Sequence, residues 1–196
     1  MRLLGVTALL VLSASVWAQQ WDSGSGLGWE IPDAGPEVEW SFNPVGVSGT
    51  VVGFDVFMQP FHTWRSDLFI HIIDPTGQAL SLHQLEGEDS YFISCFFSDT
   101  GNSLGNVEDL DSATTSLTYQ PSGGMLSWLS FGGGGTWRLR AQDIAEFDVG
   151  TIDRIRMRTS AVPEQGASVA FGIGLLALAL RRTLLRHRDT GQGSAI

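Results

Sequence analysis

An all-β sandwich or jelly roll of many short strands is the fold class this sequence predicts. Three observations carry that expectation. Short runs of alternating or apolar residues recur between residues 31 and 160. Pro and Gly punctuate them, as turns between strands require. No segment there carries a helical period; only the C-terminal tail reads as a helix. An N-terminal signal helix and a C-terminal hydrophobic helix are expected to flank the sandwich.

Residues 1–18 read as a secretory signal peptide: Arg2 at the charged start, an apolar run from Leu3 to Leu12, and small residues before a cleavage point ahead of Gln19. Val16 and Ala18 hold the two positions that such a cleavage site keeps small. Residues 19–30 form a Gly/Ser-rich lead. Trp21, Trp29 and Trp40 lie in or near it; exposed, they could stack on sugars, and the plainer reading is an N-terminal strand that packs its rings.

The domain proper spans residues 31–160. Val51 to Met58 is one strand and Asp67 to Ile73 another. The second ends in Asp74-Pro75-Thr76-Gly77, with Pro second and Gly fourth as in a β-turn. Gln78 to Leu82 returns. Gly135 to Arg140 and Thr151 to Thr159 are further strands. In the last, Ile152 alternates in step with Arg154, Arg156 and Arg158, so Ile155 and Met157 are expected to form the inner face. Trp64 and Trp137 are expected to anchor core or loop packing, Asp67 to accept backbone N–H groups or pair with an Arg, and Gly135 and Gly150 to occupy turns with unusual dihedrals.

Residues 161–188 are the most informative end. Val162-Pro163-Glu164 precedes an apolar, small-residue run from Ala167 to Leu180, and Arg181 and Arg182 follow at once. Basic residues directly after an apolar segment hold that end in the cytoplasm. Residues 189–196 are a polar tail. The layout resembles the PEP-CTERM sorting signal of Gram-negative bacteria, although Gln165 stands where a second Pro is usual. The resemblance implies an exosortase as partner, at least transient anchoring in the inner membrane, and delivery to the cell surface or the medium. Its motif residues here are Val162, Pro163, Glu164, Arg181 and Arg182.

A second resemblance covers nearly the whole folded part. Ile31-Pro32-Asp33, His62-Thr63-Trp64-Arg65-Ser66-Asp67-Leu68, Asp74-Pro75-Thr76-Gly77, Phe97-Ser98-Asp99, Tyr119-Gln120-Pro121-Ser122-Gly123, Gly135-Thr136-Trp137-Arg138-Leu139 and Asp148-Val149-Gly150-Thr151-Ile152 fall in the order of the P (P/Homo B) domain. That domain follows the catalytic domain of subtilisin-like proprotein convertases. The resemblance implies a jelly-roll β-sandwich of about eight strands, and a module that stabilises a protease rather than one that cuts.

The chemistry legible in the residues agrees with a non-catalytic part. The four histidines are His62, His71, His83 and His187, with no zinc-ligand spacing. Cys95, the one cysteine, sits in the apolar run Tyr91 to Phe97 and reads as a small buried hydrophobe. From Gln19 to Val162 there are six Arg against 19 Asp and Glu, a formal charge of about −13. A field of that sign repels phosphate backbones and argues against nucleic-acid binding. It suits divalent cations. Glu86, Glu88, Asp89, Asp99, Asn102, Asn106, Glu108, Asp109 and Asp111 make an oxygen-rich region, in which Asp99, Asp109 and Asp111 are the best candidates for calcium.

The expectation is therefore an exported, non-enzymatic surface or matrix protein that binds or builds, with exopolysaccharide as a possible ligand. One alternative is a docking or stabilising subunit for a separately encoded subtilisin-like protease; another is a carbohydrate-binding module.

Overall fold

The computed structural model describes residues 18–87, 90–104, 109–131 and 135–160. These lie in a compact unit spanning Val16–Val162. The signal-peptide run up to residue 17 and the tail from 161 onward, with Val162, Pro163, Glu164, Arg181 and Arg182, lie outside the described residues, as do Glu88, Asp89, Asn106 and Glu108.

Among the described residues eleven strands run in chain order: β1 Ala18–Asp22, β2 Trp29–Ile31, β3 Val38–Phe42, β4 Gly49–His62, β5 Leu68–Ile73, β6 Ala79–Gln84, β7 Phe92–Asn102, β8 Leu110–Asp111, β9 Ser130–Phe131, β10 Trp137–Asp143 and β11 Gly150–Ser160. Eight of them have five residues or more. They form two sheets. The larger has seven strands in the order β1-β11-β4-β7-β8, with β2 on β11 and β9 on β4; the smaller runs β3-β10-β5-β6. Every pairing is antiparallel except the short β7–β8 contact. The protein is an all-β, two-sheet sandwich.

Period-two alternation fills the space between the sheets. Leu68, Ile70 and Ile72 of β5, Trp137, Leu139 and Ala141 of β10, and Ile155 and Met157 of β11 are buried in one cluster with Val51, Phe54 and Val56 of β4. Each buried Val, Leu, Ile, Phe or Met side chain contributes about 1.5–3 kcal/mol relative to leaving it in water. Cys95 is buried in the same cluster, and desolvation pushes its thiol well above the usual value.

Four expectations change on contact with the structure. The N-terminal lead is not a lead: β1 and β2 both pair with β11. Trp21 stacks on Phe42 at 5.5 Å, and Trp29 lies flat on Trp40 at 5.3 Å. The plainer reading of these rings is the observed one. Ile152 faces inward, because a bulge between Ile152 and Arg154 resets the alternation. Trp137 is fully buried as expected, but Trp64 is 41% exposed. Asp67 receives the Ser66 hydroxyl at 3.5 Å, while Asp74 takes the turn-closing role, its Oδ1 accepting the Thr76 and Gln78 N–H groups at 2.9 Å.

The two singled-out glycines differ. Gly135 has φ +131°, and a Cβ there would also strike Pro75. Gly150 has no positive φ; it is small because the His62 ring stands where its Cβ would go, at 3.0 Å.

Candidate functional site

β4 ends in His62, β10 ends in Asp143 and β11 begins at Gly150, so three strand ends meet at one edge of the sandwich. His62 Nε2 stands 3.3 Å from Asp143 Oδ2, both side chains at zero exposure. Burial pushes the Asp143 carboxyl up, opposed by the Ala145 N–H on its Oδ1 at 3.1 Å and by the His62 ring. The Thr63 hydroxyl donates to Asp148, and the Asp148 N–H donates to Asp33 Oδ1 at 3.3 Å. The Ile144 N–H donates to the Asp67 carbonyl at 3.0 Å, and the Ala34 N–H to that of Ala145 at 3.1 Å. The β4–β5 and β10–β11 loops are thereby tied to each other and to the chain around Asp33.

A second buried polar set underlies the first. Arg65 is fully buried; desolvation lowers its guanidinium below the usual range. Its N–H donates to the Ser90 carbonyl at 2.9 Å, and its carbonyl faces His83 Nε2 at 2.7 Å. A carbonyl only accepts, so His83 carries its proton on Nε2. Burial brings His83 down to about 4, which keeps the ring neutral near pH 7.

On top of this frame the two tied loops expose apolar side chains. Trp64 comes from one; Ile144, Phe147 and Val149 come from the other, at 50%, 90% and 61% exposure. Phe147 also has φ +86°, a left-handed conformation unfavourable for a bulky residue. Strain with full exposure, on a loop fixed by hydrogen bonds, is the signature of a residue held out for contact. The His62–Asp143 pair resembles a base with its orienting acid, but it is sealed from solvent, and its visible work is to fix the loops.

The three calcium candidates occupy separate local roles. Asp99 accepts the Leu126 N–H at 2.5 Å and the Ser127 N–H at 3.0 Å, closing the short 3-10 turn Leu126–Trp128. Asp109 accepts the Tyr91 N–H at 3.2 Å. Asp111 holds the Thr114 hydroxyl at the start of the helical turn Ser112–Thr115. Among the described residues no group of three or more His, Cys, Asp or Glu side chains is placed to hold a metal ion. The sequence reading passed over Asp143, Ile144 and Phe147. The available signal was three large apolar residues, Ile144, Phe147 and Val149, scattered through the acidic stretch Asp143-Ile144-Ala145-Glu146-Phe147-Asp148-Val149, where a plain loop would be polar.

No family model matches the chain. Over 130 residues it is 29% identical to the transglutaminase-activating metalloprotease of Streptomyces mobaraensis, which is 65% of this chain and 13% of that protein. The chain therefore spans only a small part of that relative's length. Among solved structures it is similar to the Aeromonas sobria serine protease in complex with its chaperone, at TM-score 0.39 and 17% identity, covering 75% of this chain and 27% of that one. The same serine protease alone gives TM-score 0.39 and 14% identity, covering 73% and 26%. At that score neither structure supports an argument about this chain.

Proposed function

We propose that this chain is a non-catalytic accessory module of the P/Homo B type, a jelly-roll sandwich that docks on and stabilises a separately encoded protease. The observation that carries the reading is Phe147, 90% exposed at φ +86° on a loop tied down by the buried Asp143 and Asp148. Two things favour a protease as the occupant. The similar stretch of the metalloprotease is a minor part of a much longer protease chain, as an accessory module would be. The blocks shared with convertase P domains, among them His62 to Leu68 and Asp148 to Ile152, contribute Trp64 and Val149 to this surface.

The test is a stability measurement on the partner. The full chain is added to the secreted proteases of its own cell, and the half-life of proteolytic activity on heating is followed. The intact chain is expected to lengthen it severalfold, and Phe147→Asp to remove the effect while the chain itself stays folded. Equal half-lives with and without the chain would end the reading.

The address belongs to the same proposal: export by the secretory pathway, then exosortase handling at Val162-Pro163-Glu164, with the tail held in the inner membrane by Arg181 and Arg182. Among the described residues no helix is long and apolar enough to cross a membrane, and the tail lies outside them. Intact mass of protein from native cell fractions tests this. A surface or medium species running from Gln19 to shortly after Val162 supports it; a species confined to the inner membrane and still ending at Ile196 refutes it.

A further inference from the structure

In the seven-stranded sheet the ladder between β4 and β7 is interrupted. β4 pairs with β7 through Phe57↔Ser94, and pairing resumes only at His62↔Phe92, so β4 advances five residues while β7 advances two. The extra length arches away from β7 and contains Pro60, which has no N–H to give a neighbour. Breaks of this kind cluster beside binding sites because they aim side chains out of the sheet plane.

The arch borders a groove of about 560 Å³, lined among others by Gln59, Phe61, Ile93, Ser94, Asp153 and Arg154. That volume lies within the roughly 300–1,000 Å³ of small-ligand sites. Phe61 is 42% exposed and set edge-on against Tyr91 at 5.0 Å, which gives the groove a fixed aromatic wall. Ile93 adds apolar surface.

The polar groups are oriented and electrically balanced. Arg154 donates through Nε to Asp22 Oδ1 at 2.8 Å and through Nη2 to Oδ2, and lies 5.2 Å over the Phe57 ring. Two of its five N–H donors are so used. The Arg154 hydrogen bond in turn holds the Asp22 carboxyl below its usual value. Asp153 Oδ1 accepts the Gly26 N–H at 2.8 Å, leaving its other oxygen. The charged side chains are thus pinned by internal partners and keep spare donors and acceptors, which favours a ligand rich in hydroxyls over an ion.

We propose that this groove binds a neutral oligosaccharide. A pyranose has one face of C–H groups to lie on Phe61 and a rim of hydroxyls for Gln59, Asp153 and Arg154, the same division of apolar wall and polar rim. The formal charge of about −13 between residues 19 and 162 turns away acidic polysaccharides. The site is distinct from the Phe147 surface.

The test uses the full chain titrated with maltoheptaose and cellohexaose, and with alginate as the anionic control, followed by calorimetry and NMR. Binding of a neutral glycan is expected, weakened about tenfold by Phe61→Ala, the loss of one stacked contact. Gln59→Ala is expected to weaken it by a smaller factor, and Phe147→Asp to leave it unchanged. The proposal is overturned if both neutral glycans fail to bind at about 10 mM, if alginate binds as well as they do, or if Phe61→Ala leaves the affinity as it was. None of these outcomes touches the protease reading, which stands or falls with Phe147.

Discussion

Large aromatics meet opposite fates in two regions. Along the N-terminal seam, Trp21 and Trp29 from one sheet stack on Phe42 and Trp40 from the other, with nearly parallel rings. On the β10–β11 loop, Phe147 stands in water at 90% exposure and in a strained conformation. The same residue class closes the sandwich in one place and is held out of it in the other. What separates them is the backbone beneath. The seam residues sit in strands with registered partners, so alternation drives every second ring inward. The loop residues sit between two strand ends, where their path is set by buried side chains of the frame, Asp143 and Asp148.

The frame is where the largest effects are expected. His83 has a folded-state value of about 4 against 6.5 in the unfolded chain, so below pH 6.5 the unfolded state binds more protons. Stability is whole at pH 7 and falls as pH drops from about 6.5 to about 4, by a total of about 3 kcal/mol from this group. Urea melts of wild type and His83→Gln between pH 7 and pH 4 check it; the variant should lose that part of the slope. Asp143→Ala removes the carboxylate facing buried His62 and the acceptor of the Ala145 N–H. It should cost about 3 kcal/mol and raise protease nicking within 144–149. If it costs nothing, the frame is not what fixes the loop.

Trp29→Ala in the seam should lower stability by about 2 kcal/mol through lost stacking and burial. Asp99→Ala should cost about 1 kcal/mol, because two backbone donors lose their acceptor, with the same loss in calcium and in EDTA. A calcium-dependent difference would return Asp99 to the role the sequence suggested for it. Phe147→Ala should shift stability by less than about 0.5 kcal/mol, because it removes an exposed ring and keeps the Cβ that makes the left-handed φ costly. A cost near that of Trp29→Ala would erase the contrast between the two regions.

Legibility followed the same division. The strands at Val51 to Met58, Asp67 to Ile73 and Thr151 to Thr159 could be read because alternation and flanking turn residues are local signals. The Asp74-Pro75-Thr76-Gly77 turn could be read because its chemistry lies within five residues. The seam was legible as an N-terminal strand packing its rings, but its strand partners were not, since a Gly-rich stretch with isolated tryptophans does not say which strand it joins. The candidate site was half visible: His62 and Asp148 lay in blocks that drew attention, while Asp143, their structural partner in the frame, lies 81 residues from His62 in the chain. A pairing over that distance leaves no local pattern.

The sequence by itself determined the all-β class, the turn at Asp74, the buried nature of Cys95 and the acidic field that disfavours nucleic acid, because each depends on residue type and short-range order. The tertiary structure decided the rest. It took the bulge beside Asp153 to turn Ile152 inward, and the meeting of three strand ends to bury His62 against Asp143. It took the missing rungs between β4 and β7 to open the groove at Phe61. Each of these arises where chain segments distant in sequence compete for the same space, and only the folded packing settles which side chain is buried and which is left to meet a partner.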